Sequence, residues 1–161
     1  MSRSMEGKVI AITGGASGMG FATAKLLIER GAKVSIADIS PDLETAAVEL
    51  ARHSGIDQFK GVYAHKVNVR DLAEVELWLK ATVEQLGRLD GAVNAAGIFD
   101  YPLPTVLWHE KHGIDTWDKV VGVNLTGVAN CLHAELGILT SPEAKAGNWG
   151  KSIVNLSSVA G

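Results

Sequence analysis

Val9-Ile10-Ala11-Ile12-Thr13-Gly14-Gly15-Ala16-Ser17-Gly18-Met19-Gly20 is the stretch that decides the fold of this chain. Its first half extends a short β-branched run, Lys8–Thr13, that reads as a buried strand. The segment from about Gly18 to Arg30 reads as a helix, with Ala22, Ala24, Leu26 and Leu27 supplying much of its apolar content, and Gly31 stops it. Glycines between a strand and a helix let backbone N–H groups approach an anion closely, while the helix N-terminus turns about half a positive charge toward it. Gly14 permits the tight turn, Gly18 the close approach, and Gly20 the packing of helix on strand. The chain has 18 glycines, and turns account for most of them, so the placement between strand and helix carries the weight. That placement points to a bound pyrophosphate.

Outward from this turn, short β-branched runs alternate with longer stretches of helical period, the pattern of repeated βαβ units around a parallel sheet. A second strand is expected over Lys33–Asp38, then a helix from about Pro41 to His53 with Ser40 as its cap. A third strand near Val62–Val67 precedes an amphipathic helix from about Asp71 to Leu86, with Leu72, Val75, Leu79 and Val83 at spacings of three and four and Gly87 at its end. The fourth strand, Gly91–Asn94, is brief, and the segment through Tyr101, Pro102 and Pro104 reads as a loop with one helical turn at most. A long helix from about Thr116 to Leu139 and a fifth strand, Lys151–Leu156, complete the chain. The expectation is one α/β domain over residues 1–161, a Rossmann-type doubly wound parallel sheet of about five strands in three α/β/α layers.

Asp38, at the end of the second strand, stands where such a fold places the acid that accepts hydrogen bonds from ribose hydroxyls. Its carboxylate would repel a 2′-phosphate. Ser17 is uncharged, and Asp38-Ile39-Ser40-Pro41 contains no Arg or Lys to receive that phosphate, so the cofactor expected is NAD in preference to NADP. The plain alternative makes Asp38 a turn residue ahead of Pro41.

Composition narrows the classes without naming one. The 161 residues suit a single domain, with 47% apolar and 20% charged residues. A net charge of -3 gives no general attraction to nucleic acid or to an anionic membrane. The single cysteine, Cys131, excludes an intrachain disulfide, and the start, Met1-Ser2-Arg3-Ser4, leads into Glu6-Gly7-Lys8 without an apolar leader, so a cytoplasmic location is expected. No apolar run approaches the ~20 residues of a membrane span.

Four motifs in order, Gly14-x-x-x-Gly18-x-Gly20, Asn94-Ala95-Ala96-Gly97, Asn124 in Val123-Asn124-Leu125, and Asn155-Leu156-Ser157-Ser158-Val159-Ala160-Gly161, make the whole chain resemble the short-chain dehydrogenase/reductase family. The resemblance implies that Gly14, Ser17, Gly18, Met19 and Gly20 hold the pyrophosphate. It also implies that Asn94, Ala95, Ala96 and Gly97 lie beside the adenosine ribose and steady the sheet. Asn68 and Val69 match the position that touches adenine, which in the family is commonly Asp-Val, and an amide oxygen can still accept from the adenine amino group. Asn124 matches the asparagine that holds a water in a proton relay at a kink in the long helix, its alternative being a polar residue capping a local irregularity. Ser158 matches the serine that hydrogen-bonds the substrate oxygen, with Ser157 in support; outside this context both would be turn residues.

The family's Tyr-x-x-x-Lys, its general acid/base, is expected beyond Ser158 and therefore past Gly161. Tyr63 and Tyr101 do not substitute, because Val67 and Thr105 stand four residues after them. A chain without a positioned proton carrier is expected to lose about a hundred- to ten-thousand-fold in rate. The later strands of the family would also be missing, leaving the fifth strand as an edge and the long helix without a neighbour, so self-association through that helix is expected. Two functions follow. One is an NAD(H)-dependent oxidoreductase moving hydride between nicotinamide and a small-molecule secondary alcohol or ketone. The other is a non-catalytic NAD-binding relative acting as a binding or regulatory subunit. A dinucleotide-binding enzyme of another reaction class is disfavoured by Asn124 and Ser158 together.

Other chemistry is weaker. His109 and His112 lack the spacing and the intervening Glu of a metalloprotease helix, and no metal is expected. Cys131 and His133, two apart on a helix, point to different sides. Trp78, Trp108, Trp117 and Trp149 are scattered without an interleaved basic stripe and read as core or surface aromatics.

Overall fold

A computed structural model describes residues 5–53, 61–99, 114–142 and 150–158. Tyr101, the two prolines near it, Trp108, His109, His112, Trp149 and Val159–Gly161 lie outside the described residues. In chain order the elements are β1 (Val9–Thr13), α1 (Gly18–Glu29), β2 (Lys33–Asp38), α2 (Leu43–His53), β3 (Val62–Lys66), α3 (Leu72–Leu86) and β4 (Gly91–Asn94). They are followed by α4 (Ile114–Val121), a π-helical segment (Gly122–Gly127), α5 (Val128–Leu139) and β5 (Ser152–Asn155).

The five strands form one parallel sheet in the order β3-β2-β1-β4-β5. From β1 the chain winds outward to β3, then returns to the other side of β1 to begin β4. The connections leaving β1 and β4 therefore diverge, and the crevice between them at the carboxyl ends is where such sheets bind ligands.

Period-two alternation along the strands feeds two cores. Ile10, Ile12, Val34 and Ile36 face Ala24 and Ile28 of α1 and Leu43 and Leu50 of α2. The opposite face is built of small residues: Ala11 pairs in register with Ser35 on one side and Ala92 on the other. That row leaves room for Trp78 of α3, which is wholly buried, and for Cys131, Ala134 and Leu139 of α5. The Trp78 indole N–H donates to Ser35 Oγ at 2.8 Å, and Thr82 Oγ1 donates to the Trp78 carbonyl at 2.9 Å. Ser35 and Thr82 hydroxyls lie 2.6 Å apart, and with the Thr82 proton committed to Trp78, Ser35 is the donor between them.

The elements start and stop where the capping chemistry allows. Gly31 and Gly87, at φ +89 and +92, end α1 and α3 in the left-handed conformation. Asp71 caps α3, its Oδ1 accepting from the Ala73 and Glu74 N–H groups. The helix expected from Pro41 begins at Leu43 instead. Ser40 Oγ accepts from Asp42 N and the Asp42 carbonyl from Ala46 N, so Pro41 and Asp42 form the turn leading in. In α1 the buried stripe is Gly20, Ala24 and Ile28, while Leu26 faces outward. The long helix expected over 116–139 runs from Ile114 to Leu139, but Gly122–Gly127 within it is π-helical. That wider turn has no signature in apolar periodicity, because its N–H groups skip one residue further back.

Candidate functional site

The glycine turn after β1 is held from two sides. Asp38, at the end of β2, accepts from Ala16 N at 3.1 Å through Oδ2 and from Ser40 N at 3.0 Å through Oδ1, and Gly15 N donates to Ala37 O at 3.2 Å. The carboxylate thus fixes the glycine turn and also shapes the bend ahead of Pro41, which is the turn role read for Asp38 from the sequence. Gly14 has φ +67, and a Cβ there would lie 2.8 Å from the Ala95 carbonyl and the Ala96 nitrogen. A Cβ on Gly20 would run into the Gly14 carbonyl. Gly18, at φ +55, faces open space. Ser17 occupies the N-cap position of α1 in extended conformation without a side-chain cap bond, and the first turn of α1 has no acidic residue. The first turn of α1 therefore carries neither a cap bond from its N-cap side chain nor a carboxylate of its own.

A cleft of about 290 Å³ opens above the carboxyl ends of the strands. Its walls include Gly14, Ser17, Gly18, Met19 and Gly20 from the turn; Asp38 from β2; Asn68 and Val69 after β3; and Ala95, Ala96 and Gly97 after β4. The sequence-derived cofactor candidates are thus gathered in one place, with Asn94 set apart, while the catalytic candidates Asn124 and Ser158 are not among the residues lining the cleft. Thr13 Oγ1 accepts from both Ala95 N and Ala96 N at 3.2 Å, tying the two walls at β1 and β4. Asn68 Oδ1 already accepts from Arg70 N at 3.1 Å, so one of its lone pairs is committed within its own turn.

Asn94 points away from the cleft into the sheet interior. Its Nδ2 donates to Asn155 Oδ1 of β5 at 2.9 Å and to Glu135 Oε2 of α5 at 3.1 Å. Glu135 is fully buried, and burial pushes its carboxyl up to about 7 against the lowering effect of the Asn94 hydrogen bond. The buried Cys131 thiol, one turn earlier, is pushed up to about 12 by burial and then by Glu135, far from a reactive thiolate; His133 faces solvent.

Asn124 lies on the π-helical segment, and its side chain exchanges two hydrogen bonds with the backbone of Ile98: Oδ1 accepts from Ile98 N and Nδ2 donates to Ile98 O, each at 2.9 Å. Both amide groups are thereby engaged on the loop after β4. The Val128 N–H closes on Leu125 O, one residue short of its α-helical partner, Asn124 O. Ser157 and Ser158 are exposed and follow β5, on the same carboxyl-end side of the sheet as the cleft.

Ala37, Ile39, Val67, Ile98 and Val123 also line the cleft and were not singled out from the sequence. Each neighbours a residue that was, and no polar group distinguished them. Glu135 had a signal: a carboxylate one turn from Cys131 on an otherwise apolar helical face. Among the described residues no group of three or more His, Cys, Asp or Glu is placed to hold a metal ion, and no helix is long and apolar enough to cross a membrane.

Residues 8–161 match a protein family described as short chain dehydrogenase. The short-chain dehydrogenase/reductase aba4 of Botryotinia fuckeliana is 40% identical over 160 residues, which are 99% of this chain and 57% of that protein. Chanoclavine-I dehydrogenase ifgE of Penicillium roqueforti is 39% identical over 162 residues, covering 98% of this chain and 59% of that protein. A 3-ketoacyl-(acyl-carrier-protein) reductase from Brucella melitensis, solved with NADH, superimposes with a TM-score of 0.81 at 30% identity over 96% of this chain and 59% of its own. The chain thus spans a little over half the length of the curated relatives it matches.

Proposed function

The chain belongs to the short-chain dehydrogenase family of oxidoreductases, and on that premise we propose that its cleft binds NAD(H), in preference to NADP(H), for hydride exchange with a small secondary alcohol or ketone. The observation that carries the cofactor reading is the Asp38 carboxylate closing on the Ala16 N–H, beside a glycine turn whose open side is the N-terminus of α1. Gly14, Ser17, Gly18, Met19 and Gly20 would hold the pyrophosphate through backbone N–H groups. Asp38 would accept from the ribose hydroxyls and repel a 2′-phosphate. Asn68 and Val69 would flank the adenine, and Ala95, Ala96 and Gly97 the ribose. Nicotinamide, when bound, supplies the hydride acceptor or donor.

The chain's own residues would orient and polarise. Ser158 is proposed to donate a hydrogen bond to the substrate oxygen, with Ser157 beside it. Asn124, through Ile98, holds the loop after β4 in place with one Oδ1 lone pair and one Nδ2 proton, and any water it positions would meet the rest of the amide or its main chain. Asn94 supports the site from below by joining β4 to β5 and α5. The exposed Leu125 and Leu136, on the π-helical segment and α5, support pairing with a second copy of the chain along the long helix.

Oxidation of NADH over a panel of small ketones tests the reading. Consumption of NADH that Ser158→Ala reduces at least about tenfold is the expected result. Saturable NADH binding without turnover of any ketone would confine the chain to cofactor binding and overturn the hydride-transfer reading.

A further inference from the structure

The π-helical segment has a geometric consequence for the cleft. Gly122 and Gly127 are five residues apart, which on an α-helix sets them about 140° apart around the axis. A turn that hydrogen-bonds one residue further back brings positions five apart onto one face, and the Gly122 carbonyl does lie 3.4 Å from where a Gly127 Cβ would be. That face is pressed onto two successive residues, Val69 and Arg70. A Cβ on Gly127 would stand 2.6 Å from Val69 Cγ2 and 3.2 Å from Val69 Cβ, and one on Gly122 would stand 2.8 Å from Arg70 Nε.

One helical turn along, Asn130 Nδ2 donates to the Val69 carbonyl at 3.0 Å. Val69 is therefore seated sterically by Gly127 and fixed through its backbone by Asn130, and it is one of the residues that line the cleft. Arg70 can swing its guanidinium aside if Gly122 gains a methyl group. Val69 has no such freedom: the crowded atoms are its Cβ and a branch of it, so relief takes a shift of backbone, and a shift on the Val69 side carries the cleft wall along.

We infer that Gly127 and Asn130 are positioning residues for the adenine end of the cofactor, acting through Val69 and brought into register by the π turn. This rests on the cofactor reading above. Gly127 leaves room for Val69, a residue of the cleft wall, so a methyl group added at Gly127 displaces that wall without touching the glycine turn or Asp38.

The test measures ADP, NADH and nicotinamide mononucleotide binding to the parent chain, Gly127→Ala, Val69→Ala, the double variant, and Asn130→Asp. Gly127→Ala is expected to weaken ADP and NADH alike by about tenfold while leaving nicotinamide mononucleotide unchanged, and to cost less than about twofold when Val69 is already Ala. Asn130→Asp keeps the shape, loses the donor and sets a carboxylate against the Val69 carbonyl. It is expected to weaken ADP by a similar factor and keeps the inference refutable should Gly127→Ala fail to fold. ADP affinity within twofold of the parent in the folded variants, or the same loss in both Val69 backgrounds, would overturn the inference and leave the cofactor reading standing. A parent chain that binds neither ADP nor NADH would overturn both.

Discussion

The side chain of Asn124 and the backbone of Ile98 form a closed two-way pair, N–H to Oδ1 and Nδ2 to C=O, both at 2.9 Å. The π-helical segment is thereby tied to the loop that follows β4. Because the pair is exposed, water replaces much of what is lost on removing it. Asn124→Ala is expected to cost only about 0.5–1.5 kcal/mol of stability. The Ile98 amide, however, is expected to exchange with solvent markedly faster, read by hydrogen exchange. Asn124→Asp keeps the acceptor but turns an oxygen toward the Ile98 carbonyl, and it is not expected to restore the parental protection.

Asp38 uses both carboxylate oxygens on backbone N–H groups. Asn at this position has a single oxygen, so one of the two N–H groups would face an amide –NH₂. Asp38→Asn is expected to weaken NADH binding by about tenfold while sparing NADPH, whose 2′-phosphate no longer meets a negative charge. The quantity to measure is the NADPH dissociation constant divided by that of NADH, which is expected to fall.

The buried hydroxyl chain has a defined proton direction, from Ser35 to Thr82 to the Trp78 carbonyl. Ser35→Ala removes the acceptor of the wholly buried indole N–H. The expected loss is about 1–3 kcal/mol in chemical denaturation, the cost of an orphaned buried donor. Adding Trp78→Ala should not deepen it by the sum of the two single losses, since the orphan is then gone.

Glu135 makes stability depend on pH in a known direction. Its folded carboxyl is raised by burial to about 7, above the ordinary value of 4.5. Below the ordinary value both folded and unfolded chains hold the proton, and the contribution is fully present. Between the two values the folded chain keeps a proton that the unfolded chain has lost, so stability falls as pH rises and the contribution is gone above the folded value. The full swing is of the order of 3 kcal/mol. Glu135→Gln keeps the acceptor for Asn94 and is expected to flatten this dependence and to raise the denaturation midpoint at about pH 8. A parallel shift of both proteins across the range would contradict the assignment.

The parallel sheet and its crossover helices were legible because two rules with little tertiary input govern them. Period two and period 3.6 separate Val9–Thr13 from Gly18–Glu29, and glycine ends helices at Gly31 and Gly87. The cleft was legible for the same reason: Gly14, Gly18 and Asp38 are backbone-determined positions. Side-chain partnerships across long separations were not. The apolar pattern of α3 placed Trp78 on a core face without showing Ser35 beneath it, and Asn94 read as part of a turn that lies beside the ribose and steadies the sheet, without showing Glu135 and Asn155 as the partners of its amide. The π turn was foreshadowed only by the resemblance, which puts a kink in the long helix at Asn124; Gly122 and Gly127 acquire meaning only once Val69 and Arg70 are seen against them.

The measurement that bears most directly on the account is a parallel titration of this chain with NADH and NADPH, followed by nicotinamide fluorescence. The glycine turn braced by Asp38 predicts saturable binding with a clear NADH preference. Absence of saturable binding to either, or equal affinity for the two, would contradict it.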